Sequence, residues 1–292
     1  MPLLDASQYD FDIETVLAVT SWNLSPWLDH LSPSSISMFR RCPRQFQERY
    51  LHGRKERPAE APTIVTAVHK GLERNFEQKI ASHEDLPTHE LLDWYTDEGF
   101  SAAVVDEQEK AGVEVSWDTD PESAMVRGRK MLGEYHNQVS PRIQPLSVEG
   151  SIAVDFGLPV PVIGRYDLLK ESSVVDWKTG KSTKRKPQES WRIQAAVYGE
   201  AKERPVEFHS ISATEKGTVT IVTPLEADAL LVRPTALERA QIRRSIQTIA
   251  AEMVLDMRLY GPDEPWPTHG RFHIFACDYC GFRPNCPAWS NE

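Results

Sequence analysis

G-R-Y-D-L-L-K-E-S-S-V-V-D-W-K-T-G-K-S, residues 164–182, is the stretch on which the reading of this chain turns. Asp167 lies near the end of one predicted strand, and Asp176 and Lys178 lie near the end of the next. Side chains two apart on a strand share a face, so Asp176 and Lys178 project together while Trp177 points away. If the two strands pair, Asp167 joins them at one end of the sheet. Val174 and Val175 set Asp176 and Lys178 at the rim of a core strand, where half-buried unlike charges need a reason. Hard divalent cations such as Mg²⁺ or Mn²⁺ prefer carboxylate, carbonyl and water oxygens, and Asp167, Asp176 and the Trp177 carbonyl supply that set. An ammonium beside such a metal orients or helps deprotonate a water and offsets charge growing on a phosphate. A D-x-K tripeptide alone is frequent by chance; its place directly after the valine pair gives it weight.

Outward from this stretch the period of the apolar residues organises the chain. Strand-like runs cover 147–156, 160–169 and 172–178, the first two joined through Gly157 and Pro159 as in a hairpin. A helix is expected over Gln188 to Lys202, with Trp191, Ala195 and Tyr198 along one side. Strands near 208–213 and 218–223 then lead into a long helix over about 235–258. Upstream, Ile64, Ala67, Val68, Leu72 and Phe76 mark a helical stripe that carries His69. Residues 84–139 read as further helices with a polar break around 116–121, and they form an insertion ahead of the sheet. In residues 34–50, Ser34 or Ser35 serves as an N-cap, and Pro43 breaks the helix just after Cys42. Residues 1–31, with Trp22 and Trp27, show no periodicity and read as an irregular arm ahead of one domain, 32–292. Helices, strands, helix, strands and helix in that order predict an α/β fold with a central mixed sheet flanked by helices.

The 292 residues suffice for one large domain. No run approaches the roughly 18 consecutive apolar residues of a membrane helix, and the N-terminus lacks the pattern of a signal peptide, so a cytoplasmic protein is expected. The net charge of −10, from 43 acidic and 33 basic residues, argues against indiscriminate nucleic-acid binding. Two local cationic runs cut across that total: Arg40 to Arg57, and Lys178 to Lys186, where no acid interrupts Lys181, Lys184 and Arg185. Either could hold phosphates or be no more than a solvated face.

The chain has four cysteines: Cys42 near one end, and Cys277, Cys280 and Cys286 as C-x2-C-x5-C within the segment 266–288. A close pair, a third and a distant fourth is the arithmetic of a metal site in a cytosolic chain. Proline follows Cys42 and Cys286, as it follows a ligand in bacterial ferredoxin-type clusters. Tetrahedral zinc accepts four thiolates equally well. A redox-active CxxC leaves two cysteines unexplained.

G-R-Y-D-L-L, then D-W-K-T-G nine residues after Asp167, then Q-A-A-V-Y at Gln194 to Tyr198, resembles the RecB-like branch of the PD-(D/E)XK nucleases. Asp167, Asp176 and Lys178 match the motif acids and lysine, with Tyr166 in place of the nominal proline. The resemblance implies a restriction-endonuclease-like core, and that Gln194 and Tyr198 support the active site and the DNA backbone. It also implies that His69, in A-V-H-K-G-L-E, is a further metal ligand. Glu149 is taken to precede the first strand and is left outside the metal shell. One early and three late cysteines, with the pattern from Ser35 to Tyr50, resemble the iron-sulfur nucleases of the CRISPR-adaptation Cas-four type and the AddB nuclease domain. That implies a [4Fe-4S] cluster on Cys42, Cys277, Cys280 and Cys286 clamping the two ends. The activity so implied is metal-dependent DNA hydrolysis with Mg²⁺ or Mn²⁺, on single-stranded ends with 5'-to-3' preference, in recombination, repair or phage DNA metabolism. Prespacer processing beside a CRISPR-adaptation partner, and a catalytically silent binding or assembly module, are the rival readings.

Overall fold

The computed structural model describes residues 28–268, 277, 280–283 and 286. The expected arm falls outside these except for residues 28–31, as does much of the cysteine segment. Leu31 is fully buried and runs beside the second strand: its N–H donates to the Pro161 carbonyl, and its carbonyl accepts from Ile163 at 2.7 Å.

Helix α1 (Pro33–Arg41) starts two or three residues earlier than expected. Ser32, not Ser34 or Ser35, is the N-cap, and Ser32 and Ser35 exchange side-chain to backbone hydrogen bonds in a capping box. Pro33 fits the first helical position, where its missing N–H costs nothing. Cys42 is extended and separates α1 from α2 (Pro43–Phe46), which runs on as a wider turn through Leu51. Two short helices therefore meet at a cysteine, as the sequence implies.

Gln47 has no exposed surface, yet every polar atom of its amide is used. Its Nε2 donates to the Pro262 and Glu264 carbonyls, and its Oε1 accepts from Arg44 and the Trp266 N–H. Trp266 stacks on Phe46 with ring centroids 6.0 Å apart and meets Phe39 edge-on. Early and late segments are thus joined by direct protein contacts.

Helix α3 (Glu60–Ser82) buries the expected stripe from Ile64 to Phe76. Helices α4 (Thr88–Trp94), α5 (Phe100–Ala111) and α6 (Pro121–Gln138) follow, α6 being capped by the Asp120 side chain. Strands β1 (Ser147–Val154), β2 (Val162–Leu169) and β3 (Val174–Gly180) form an antiparallel meander. Helix α7 (Glu189–Lys202) carries the chain across to β4 (Val206–Ala213), parallel to β3; β5 (Val219–Val222) and the short β6 (Leu231–Val232) flank β4 antiparallel, and α8 (Ala236–Tyr260) closes the series. The fold is an α/β restriction-endonuclease-like one with a mixed, helix-flanked sheet.

The sheet separates two apolar cores. Phe39, Phe46, Trp191, Tyr198, Phe208 and Met253 fill the one beneath α1, α7 and α8. Leu72, Phe76, Leu91, Tyr95, Tyr135 and Trp177 fill the other, so the helices expected as an insertion form a layer against the sheet. Among the described residues no helix is long and apolar enough to cross a membrane.

Candidate active site

Val174 lies in one core and Val175 and Trp177 in the other, which fixes the direction of each side chain of β3. Asp176 and Lys178 point together toward α7, as the period of two requires. Lys178 Nζ is 2.6 Å from Asp176 Oδ1 and 2.6 Å from Gln194 Oε1. Gln194 Nε2 donates to Asp176 Oδ2 at 3.0 Å and faces the Tyr198 hydroxyl at 3.1 Å. Tyr198, one helical turn on, donates to the Arg165 carbonyl. Four residues expected from the sequence thus form one hydrogen-bonded set. Asp176 is buried, and burial pushes its carboxyl up to about 6 although Lys178 pulls the other way.

Asp167 stands beside Asp176 because β2 and β3 pair at Leu168 with Val175 and then part. The Trp177 N–H fills the gap by donating to Asp167 Oδ2. His69 reaches Asp167 from α3, with Nδ1 3.5 Å from Oδ1. Burial works against charge on His69, but Asp167, then Asp176 and Glu149, outweigh it and hold the imidazole above its ordinary range.

Glu149 requires a correction. It lies within β1, and the register on either side, Val148 with Leu168 and Gly150 with Tyr166, sets it across from Asp167. The ligand atoms of His69, Glu149 and Asp167 lie within 4.8 Å of one another. Like charges directly opposite on paired strands repel. Burial, with Asp167 adding to it, pushes the Glu149 carboxyl up to about 7. Arg165 Nε, on a largely exposed side chain, sits 2.6 Å from Glu149. Glu149 also has φ +50°, unusual for a residue with a side chain.

These groups fit a hard divalent cation. His69 Nε2 is buried with no hydrogen-bond partner among the described residues, and two facing carboxylates with an imidazole are oxygen and nitrogen donors of the right kind. The carboxylate oxygens of Asp176 are held by Lys178 and Gln194, beside that group rather than within it.

Gly164 of the G-R-Y-D motif earns its place by contact: a Cβ there would lie 2.6 Å from Tyr198 Cε1. Gly164→Ala is expected to push Tyr198 off the Arg165 carbonyl, costing about 1–3 kcal/mol of stability. The measurement is a urea melt, and an unchanged midpoint would show that the ring moves aside freely.

The two cationic runs fare differently. Arg44 and Arg54 both pair with the buried Glu48, and Arg40 pairs with Glu189, so much of the first run is engaged within the fold. In the second, Lys178 enters the site and Lys181 pairs with Asp118.

The four cysteines are half-buried. Cys280 N–H donates to the Cys277 carbonyl, Arg283 N–H to that of Cys280, and Cys286 N–H to that of Arg283. Burial raises the Cys280 thiol pKa, and Glu56 from the early part of the chain adds to the rise.

A family model described as the PD-(D/E)XK nuclease superfamily matches residues 30–287, and the chain belongs to that superfamily. No curated protein matches the sequence. Among solved structures the chain is similar to one from Eubacterium rectale named "Putative exonuclease", at 13% identity and TM-score 0.45, covering 90% of this chain and 89% of that one. It is also similar to SSO0001, at 13% identity and TM-score 0.34, covering 75% of this chain and 96% of that one.

Proposed function

We propose that the protein is a metal-dependent DNA exonuclease of the RecB-like, iron-sulfur type, acting in the cytoplasm on single-stranded ends with 5'-to-3' preference. Recombination, repair or phage DNA metabolism is the setting that the family resemblance favours. The observation that carries the nuclease reading is the Lys178, Asp176 and Gln194 set lying directly beside the His69, Glu149 and Asp167 corner. A bound Mg²⁺ or Mn²⁺ would polarise the phosphate and lower the pKa of a water. His69, Glu149 and Asp167 would hold it, and Asp176 and the Trp177 carbonyl are the further oxygen donors that the family resemblance implies. Lys178 would orient the attacking water and meet charge developing on the phosphate. Gln194 fixes Lys178 and Asp176 against one another, and Tyr198 fixes Gln194. Arg165, exposed at the mouth, would turn from Glu149 toward a DNA phosphate once Glu149 has another partner.

The four cysteines would hold a [4Fe-4S] cluster, which the Cys42 and Cys286 prolines and the joining of both chain ends support. The test of function is cleavage of end-labelled single- and double-stranded DNA in Mn²⁺, Mg²⁺ or EDTA. Shortening from the 5' end that EDTA abolishes is the expected result. Intact DNA in the presence of metal points instead to a binding or assembly role.

A further inference from the structure

Trp177 turns its side chain away from Asp176 and Lys178, yet two of the candidate metal ligands, Asp167 and His69, depend on it. Its N–H binds Asp167, and its ring meets the His69 imidazole edge-on with centroids 5.5 Å apart. Packing alone does not hold that ring. Phe76 stacks on it, and the indole Nε1–H donates to the Tyr135 hydroxyl of α6 at 3.0 Å. Tyr135 Oη lies 2.6 Å from His209 Nδ1, and His209 Nε2 lies 3.2 Å from Glu207 Oε2. Glu207 accepts in addition from Lys170 and Ser173. His209 is also the lateral neighbour of Trp177 in the parallel register of β3 and β4.

The direction of this chain follows from its proton count. Tyr135 has one proton; having accepted from the indole, it donates to Nδ1, which leaves the His209 proton on Nε2 for Glu207. Burial depresses the His209 pKa and so keeps the imidazole neutral, as an accepting Nδ1 demands. For Glu207, burial pushes upward, but hydrogen bonds from His209, Lys170 and Ser173 win and hold the carboxyl down at about 2. Trp177, Tyr135 and His209 are all buried. A buried polar chain with every member satisfied admits one arrangement, because any other leaves an unpaired group in low dielectric.

The geometry assigns Tyr135 and His209 as positioning residues: by fixing the Trp177 indole they hold Asp167 and His69 at the spacing a divalent cation needs. This rests on the metal-nuclease reading above. It also gives the helical layer a part in the site that its distance along the chain conceals.

Tyr135→Phe in the full chain tests it, since it removes one hydroxyl and keeps the ring. Calorimetry with Mn²⁺ alone is expected to show affinity reduced about tenfold or more, the size of effect seen when the partner of a metal ligand is lost. In cleavage assays kcat at limiting Mn²⁺ falls with it, while KM for DNA stays within about twofold. His209→Asn, whose amide oxygen can take the place of Nδ1, should keep more affinity than His209→Leu. Met253→Ala, which opens a cavity in the opposite core, supplies the comparison for simple destabilisation and should bind Mn²⁺ as wild type does. Wild-type affinity in Tyr135→Phe, or a loss no greater than in Met253→Ala, overturns the assignment. A wild type that binds Mn²⁺ but leaves DNA intact overturns the nuclease reading, and the calorimetric comparison then decides the positioning role by itself. A wild type that binds no Mn²⁺ overturns both.

Discussion

Lys178→Ala is expected to lower metal-dependent DNA cleavage by about 10²–10³-fold, the range found when a preorganised group facing transition-state charge is removed, with little change in DNA binding. The ammonium lies within hydrogen-bond reach of Asp176, and Gln194 holds it there. It also sits 5.7 and 5.6 Å from the Trp191 and Phe208 ring centroids, within cation–π range of both. Such a site pays for its order at folding and not at the moment of reaction. Truncation to alanine removes charge and stem together, so Lys178→Met is the informative companion: it keeps an unbranched side chain of similar length and deletes the charge. Equal losses in the two variants place the effect in the ammonium. Initial rates on end-labelled single strands in Mn²⁺, read beside a urea melt of each variant, separate chemistry from folding. A rate within about threefold of wild type in Lys178→Met would sink the assigned role.

The part of this site on β3 was legible because it obeys a simple period. Two valines followed by Asp176 and Lys178 can only put both charges on one face, and the short connection from Leu169 to Val174 lets β2 pair with β3. Glu149 was not legible, because the period breaks there. Tyr166 packs in one core and Leu168, two residues on, in the other, so the alternation of β2 changes phase at Asp167. Opposite it, Glu149 takes a left-handed φ. A signal did exist: Glu149 and Asp167 are equally far from Leu158 in the hairpin turn, so counting back through that turn would have paired them. The engaged arginines are a mixed case. Arg44 and Glu48 stand one helical turn apart and could be read as a pair, whereas Arg54 reaches Glu48 only through the fold. Tyr135 and His209 lie on separate elements 74 residues apart, and no local pattern joins them.

Cys42→Ser separates the clamp from the chemistry. Purified without oxygen, the wild type is expected to be brown, with broad absorbance near about 400 nm, if iron and sulfur occupy the cysteines; the variant should lose most of that colour. Its stability should fall too, because a link between Cys42 and the three late cysteines, Cys277, Cys280 and Cys286, closes most of the chain into a loop. Loop-closure reasoning puts the ceiling for such a link at about 5 kcal/mol, on the order of 10 °C or more in the melting midpoint. The measured loss should lie below that ceiling, since the buried Gln47 amide and the Phe46–Trp266 stack already hold the same ends together. Those contacts also sit across the sheet from the His69 corner, in the core that Trp177 does not enter. Cleavage at low temperature should therefore survive in Cys42→Ser, just as colour should survive in Lys178→Ala. A colourless wild type carrying stoichiometric zinc replaces the cluster with a zinc clamp while leaving the stability argument in place. Cleavage lost in Cys42→Ser at a temperature where the variant is folded would mean that the clamp orders the substrate path as well as the termini.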